Sequence, residues 1–392
     1  MKITEVVDKK AANKFLEVPK ILYKDDPNFI CPLDTQINAI FNPQKNAFYS
    51  HGEAIRWYAE DDQGKLIGRV AAFINEKKAY NYQQPTGGMG FFETINDQEV
   101  AFALFDKARL WLEERGMKAM DGPINFGEND NFWGLLTEGF TPPSFGMNYN
   151  FPYYKDLFEA YSFKPYFEQV TNNLDLSVPF PERFWKIAAW VMRKPGYKYE
   201  HFKYNERERF IDDLKTIYDQ AWVFHENFTP IDKKDLHEAL QNAKPILEEE
   251  FIWFVYFEGK PVAFLVMFPD ANQYFRGFNG KLHLWNKLRF LIRKWRKQIS
   301  RARITVMGVT PEFQQKGIES AIFKKMEPVM RKRPHYKEIE LSWVGDFNPK
   351  MRAIHDAVGG DFSKRHITYR KIFDNPEANP RYNSIPLGKA KH

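Results

Sequence analysis

The chain has 392 residues, 43% of them hydrophobic and 28% charged, and no low-complexity tract, which fits two or three globular domains and excludes a disordered or fibrous chain. A net charge of +6 is too small by itself to imply nucleic acid, and the single cysteine, Cys31, excludes an intramolecular disulfide and fits a reducing compartment. No apolar run approaches the roughly 20 residues that span a bilayer, and the N-terminus lacks the order of a signal peptide, so a cytoplasmic location is expected.

An entry helix is expected over 11–23, followed by a polar, Pro-punctuated loop. Alternating apolar residues at 54–58 and 66–74 flank Asp61-Asp62-Gln63-Gly64 and predict a hairpin, with a further strand over 87–92. A helix is predicted over 100–115, with Ala101, Leu104, Phe105, Ala108 and Leu112 on one stripe and Gly116 at its stop. A strand over 118–124 and a short helix over 153–161 follow.

The second half repeats this order. A helix over 210–225 precedes strands at 251–257 and 261–268, which form a hairpin about Glu258-Gly259-Lys260. Strand 303–309, helix 317–332, strand 338–344, helix 349–358 and strand 366–373 come next. Two consecutive units of one β/α order predict a tandem duplication with its junction near 174–195, giving domains at 1–180 and 181–376 and a C-terminal tail at 377–392.

Between these elements lies a basic amphipathic segment, 281–303, with nine Lys or Arg and no acidic residue. Leu284, Leu288, Leu291, Trp295 and Ile299 share one apolar stripe. Such a helix suits a membrane interface at the inner face, a lid over a substrate tunnel, or an insertion packed on its own domain with a solvated basic face. Neither exposed aromatic clusters nor a zinc pattern supports nucleic acid.

The stretch 303–326, RITVMGVTPEFQQKGIESAIFKKM, delivers a strand through a Gly-containing loop to a helix start, where unpaired amides suit a phosphate or diphosphate. With the strand–turn–helix–strand pattern of 337–373 it resembles the GNAT superfamily of acyl-CoA-dependent N-acyltransferases. That family's loop, Gln/Arg-x-x-Gly-x-Gly/Ala, is matched by Gln314 and Gly317 and departed from at Glu319. The resemblance extends to a two-domain subgroup through Gly90–Glu93, Gly134–Phe140, Tyr149–Tyr154, Ala221–Pro230, Pro269–Asn272 and Glu340–Asn348.

The resemblance implies an α/β fold: two tandem GNAT-like domains, each a mixed, partly splayed β-sheet flanked by helices. It implies acetyl-CoA or another acyl-CoA as donor, an amine as acceptor, and no metal. The donor arm would lie where 303–309 and 338–344 part, with Val309 N–H toward the thioester oxygen and the amides of Gln315, Lys316, Gly317, Ile318 and Ser320 on the diphosphate. Gln314 belongs to the same loop, and Asn348 either caps the following helix or touches the donor arm. His355 stands where the family often has the Tyr that protonates the leaving thiolate. A base for the amine is sought among Glu340, Glu226, Asp270 or a water chain, and His225, Asn227, Asp270 and Asn272 are candidates for acceptor contact. In the first half the link 94–100 has no Gly and is bordered by Glu93, Asp97 and Glu99, so a diphosphate would be repelled and that copy is expected to be non-catalytic. Three functions are thus open: an acetyl- or acyl-CoA N-acyltransferase working in a ternary complex, a non-catalytic scaffold of retired domains, and a membrane-surface enzyme joining a long-chain acyl-CoA to a lipid amine.

Overall fold

The computed structural model describes residues 1–223, 230–375 and 377–384. The first half runs β1 (Lys2–Glu5), α1 (Lys9–Leu22), α2 (Asp34–Ile40), β2 (Gly52–Glu60), β3 (Leu66–Asn75), α3 (Glu76–Ala79), β4 (Thr86–Thr94), α4 (Gln98–Glu113), β5 (Ala119–Gly122), β6 (Leu135–Glu138), α5 (Tyr154–Ala160) and β7 (Lys164–Asp175). Helix α6 (Glu182–Met192) lies in the predicted junction. The second half runs β8 (Tyr197–His201), α7 (Arg207–Ala221), α8 (Lys233–Ala243), β9 (Ile252–Phe257), β10 (Lys260–Pro269), α9 (Ala271–Phe275), α10 (Leu284–Trp295), β11 (Arg301–Val309), α11 (Ile318–Arg331), β12 (Glu338–Glu340), β13 (Val344–Gly345), α12 (Pro349–Ala357) and β14 (Asp361–Ile372).

Local sequence explains the clearest of these. Helix α4 buries the whole predicted stripe. The Asp97 side chain accepts from Glu99 and Val100 N–H at its start, and Gly116 turns left-handed (φ 80°) just past its end. Helix α12 starts as Asn348-Pro349 dictates, the Asn348 side chain accepting from Met351 N–H. Strands β1, β7 and β8 and helices α2, α6 and α8 are additions to the predicted elements. β7 escapes a periodicity reading because Gln169, Thr171 and Asn172 are buried in it. Thr368 Oγ1 donates to Gln169 Oε1 at 2.9 Å, while Gln169 Nε2, Thr171 Oγ1 and Asn172 Oδ1 are buried without a hydrogen-bond partner among the described residues.

All strands join one 14-stranded sheet, whose main path is β1-β2-β3-β4-β5-β14-β7-β12-β11-β10-β9-β8. The order shows an exchange. The last strand of the second half, β14, pairs with β5 of the first (Tyr369↔Gly122), and the last strand of the first half, β7, pairs with β12 of the second (Ile339↔Leu174). β7 and β14 lie antiparallel at the centre, from Asp361↔Asn173 to Arg370↔Lys164. The cores follow the exchange: Ile367 and Tyr369 pack into the first-half core, and Leu174 into the second. Each half thus depends on a strand supplied by the other across the predicted boundary near residue 180.

Charged groups lock this seam. Arg370 on β14 forks onto Asp121 on β5 at 2.6 and 2.7 Å, both buried, and its guanidinium lies 3.6 Å from the Tyr166 ring centroid on β7. Asp121→Ala strands a buried cation and is expected to cost about 3–5 kcal/mol, read by urea unfolding. The shared sheet predicts one cooperative transition for both halves, and fragments cut at residue 180 are expected not to fold alone. Two separated transitions would contradict the coupling.

Candidate functional site

Strands β11 and β12 run parallel through only three pairs, Arg301↔Glu338, Ala302↔Ile339 and Arg303↔Glu340. Beyond them the chain that was predicted as one strand over 338–344 follows β7 instead. Leu341 N–H donates to Asn172 O at 2.8 Å, and β13 pairs with β7 at Val344↔Val170. β11 continues to Val309 with only β10 beside it, so the gap between the two parallel strands is open. Thr310 N–H donates to Val262 O on β10, and by strand alternation Val309 N–H and C=O face the other way, into the gap. The Val309 carbonyl accepts from Gln314 Nε2 at 3.1 Å. The Val309 N–H therefore lies on the open edge of β11.

The loop leading to α11 turns left-handed at Gln315 (φ 62°) and again at Gly317 (φ 76°), an alternation of the kind that gathers amides into an anion-binding concavity. Gly317 is the N-cap residue of α11 and offers no side-chain cap, so the first-turn amides of that helix other than Glu319 N–H, which meets its own carboxylate, are left without a side-chain cap. Its lack of a side chain also serves packing, since a Cβ there would meet Ile187 Cγ2 of α6 at 2.4 Å. Lys316 is exposed, with its ammonium 4.4 Å from the Phe313 ring centroid, and Ser320 Oγ donates to Gly317 O at 2.7 Å. Ile318 is fully buried beneath the loop. Glu319 is buried too, not turned to solvent. Burial holds its carboxyl above the usual 4.5, partly opposed by an interaction with its own amide N–H.

These groups line a cleft of about 3230 Å³ that also receives residues of the first half. Ligand pockets are commonly roughly 300–1,000 Å³, so there is room here for two substrates. The segment 125–131 reaches in from the first half, and Trp343 Nε1 donates to Asn129 O at 3.2 Å. Asp130 opens onto the cleft, yet protein crowds it, and that crowding together with Glu128 raises its pKa against the hydrogen bond from Asn131. Across from them stands Tyr218 of α7, whose phenol is pushed up to about 12 by burial, with Glu128 and Asp130 adding to the shift. No sequence motif marked Glu128, Asp130 or Tyr218, because the acidic pair comes from the other half of the chain. Part of the remaining wall is apolar, including Leu214, Trp222, Leu240, Phe254, Phe268 and Phe290, beside charged residues such as Lys234, Asp235, Lys287 and Lys350.

Several expected site residues stand elsewhere. His355 is buried on α12 and does not line the cleft, and burial pushes its pKa down to about 4, so it is a neutral imidazole at pH 7 and a poor proton donor. Glu340 is 1% exposed, accepting from Ser144 Oγ at 2.7 Å and lying 3.2 Å from Arg303 Nε. It is a seam anchor, not a base. Asp270 lines the cleft but also accepts from Phe145 N–H at 2.9 Å, and Asn272, outside the lining, donates through Nδ2 to Pro143 O at 2.9 Å, so the two strap a first-half segment to β10 and α9. Asn348 lines the cleft while capping α12. His225, Glu226 and Asn227 lie outside the described residues.

The corresponding place in the first half is closed. β4 and β5 also part after three pairs, but Ile124 N–H returns to Met89 O, and a Cβ on Gly90 would meet Ile124 O at 1.8 Å. Glu93 is buried among Tyr23, Tyr154 and Arg69, and the start of α4 is already filled by the Asp97 carboxylate.

Two outcomes follow for the open loop. Lys316→Glu, an exposed change, is expected to weaken CoA binding about tenfold, equivalent to about 1.4 kcal/mol, in isothermal titration calorimetry. Glu319→Gln removes a buried carboxylate beside the diphosphate position and is expected to tighten CoA binding at pH 7. Because the folded pKa of Glu319 exceeds its unfolded value, the native state holds more protons between the two, and stability falls as pH rises through that window. The Gln variant should lack that fall in urea titrations taken across pH.

Residues 211–359 match the model of the acetyltransferase (GNAT) family. The chain is 27% identical over 370 residues to a protein of Caulobacter vibrioides (strain NA1000 / CB15N) named bacterial ceramide synthase, an alignment covering 91% of this chain and 94% of that one. It is 27% identical over 378 residues to Protein YghO of Escherichia coli (strain K12), covering 93% and 94%. Its fold is similar to that of a tandem GNAT protein from the clavulanic acid biosynthesis pathway, with a TM-score of 0.57 and 11% identity over 94% of this chain and 97% of the other. The open parallel-strand gap and the uncapped helix start both fall within the residues that match the acetyltransferase (GNAT) family model, and the fold of the chain is similar to that of a tandem GNAT protein.

Proposed function

We infer that the protein transfers an acyl group from acyl-CoA to an amine by direct attack in the cleft of the second half. The observation that carries this reading is the β11–β12 gap closing on the uncapped α11 loop. The α11 amides and Lys316 hold the diphosphate, and Val309 N–H polarises the thioester carbonyl. The amine lone pair attacks the carbonyl carbon, the C–S bond breaks, the amide forms, and the proton lost by nitrogen balances the one gained by the CoA sulfur. Glu128 and Asp130 face the acceptor side: the pair attracts an ammonium ion, and the raised pKa of Asp130 suits a base that must release a neutral amine. The first half, with its own gap closed, acts as a non-catalytic copy that lends this loop and β7.

A second, narrower reading is favoured by the apolar stretch of the cleft wall and by the relative named for ceramide synthesis: the donor is a long-chain acyl-CoA and the acceptor a lipid amine. Release of free CoA thiol, measured with acyl-CoAs from two to sixteen carbons and a panel of soluble and lipid amines, separates the two. Asp130→Asn is expected to lower kcat by about 10²-fold or more and to flatten the acid limb of the pH–rate profile, with CoA affinity unchanged. Absence of both thiol release and CoA-induced thermal stabilisation at millimolar CoA would leave the scaffold reading in its place.

A further inference from the structure

Helix α10 sits inside out for a helix on a water-soluble surface. The residues it turns to the protein are polar or mixed: Asn286 is buried and donates to Lys281 O at 2.7 Å, and Arg293 donates to Tyr274 O at 2.6 Å and Arg276 O at 2.8 Å, with Phe290 packed against Tyr274. The residues it turns to solvent are Leu284, Trp285, Leu288, Leu291, Ile292 and Trp295. At 100° per residue these six form one stripe roughly 120° wide, opposite the anchored side. Among the described residues, six of the sixteen exposed large hydrophobics lie on this single helix, and Trp285 and Trp295 are 72% and 80% exposed. The sequence stripe was legible, but packing on the domain is not its use. Ile299 alone of the expected set is buried, and it lies beyond the helix end.

Charge says what covers the stripe. Within 281–303 there is no carboxylate, and Lys281, Lys287, Arg289, Lys294, Arg296 and Lys297 are all exposed. The two cations that serve the interior, Arg301 and Arg303, are paired with Glu338 and Glu340 and add nothing to this face. A Trp- and Leu-bearing stripe bordered by uncompensated Lys and Arg is matched by an anionic lipid surface, which takes the apolar side chains into the headgroup–acyl boundary and the ammonium and guanidinium groups among phosphates. No described helix is long and apolar enough to cross a membrane, so α10 would lie on the surface. Its Lys287, Phe290 and Leu291 also line the catalytic cleft.

We propose that α10 docks the protein on an anionic bilayer with its Leu–Trp stripe in the interface, and that the cleft mouth beside Leu291 opens onto that surface. Docking stands independently of the transfer reaction. Entry of an amphiphile from the bilayer into the cleft rests on the acyl-transfer reading above.

The test uses the full chain and vesicles of phosphatidylcholine with and without one-quarter phosphatidylglycerol. The expected result is co-sedimentation with the phosphatidylglycerol vesicles, weaker by tenfold or more on pure phosphatidylcholine, and falling as NaCl rises from 50 to 300 mM. A triple variant, Trp285→Ser, Leu288→Ser and Trp295→Ser, changes exposed positions outside the cleft lining. It is expected to bind vesicles at least tenfold more weakly while keeping the wild-type melting temperature and CoA affinity. That retained CoA affinity separates a failure of docking from a failure of the acyl-transfer reading. The proposal is overturned if the wild type does not sediment with phosphatidylglycerol vesicles at 50 mM NaCl, or if the triple variant binds as well as the wild type. It is equally overturned if the stripe instead drives self-association, seen by analytical ultracentrifugation, without vesicle binding.

Discussion

The hydrogen bonds that β7 takes from the end of β12 decide the rest of the molecule. Two parallel neighbours would ordinarily zip along their shared length. Here β12 is drawn off after Glu340, because Leu341 and the short β13 find their partners on β7, a strand of the other half. β11 is left with one bare edge, and bare main-chain amides in a protein interior demand a ligand or a solvent path. A gap in a sheet is costly by itself. The other edges beside it are paired, β12 by the exchanged β7 and β11 by β10.

The same exchange explains why a duplicated chain has one open site. Both halves begin to splay in the same way, three pairs and then a divergence. In the first half the chain folds back through Ile124 and seals the opening, and the Asp97 carboxylate occupies the helix start. In the second half the loop residue at that position is Gly317, which caps nothing. From the first half, whose gap is closed, the segment carrying Glu128 and Asp130 projects across the seam to face Tyr218.

Buried charge is concentrated where the halves meet and not where the chemistry is read. Asp121 with Arg370, and Glu340 with Arg303 and Ser144, are costly to bury but fix the register between strands from distant parts of the chain. Glu319 is different: no cation compensates its burial at the mouth of the anion loop, so its protonation and the diphosphate compete for the same amides.

The sequence by itself determined most of the element order, the stripe of α4, the cap at Asn348 and the Gly-containing loop before α11, because these rest on local periodicity and on backbone preferences of neighbouring residues, whereas the parting of β11 and β12 was implied only by the family resemblance. It also revealed the stripe of α10, though not which way that stripe would face. Tertiary structure alone decided the strand exchange, since β7 is polar on buried faces and its partners lie far away in sequence. It alone set the fate of His355, Glu340, Asp270 and Asn272, because a side chain's burial and partners depend on what packs over it. The acidic pair at Glu128 and Asp130 joined the site only through the fold, for proximity across a seam leaves no trace in spacing along the chain.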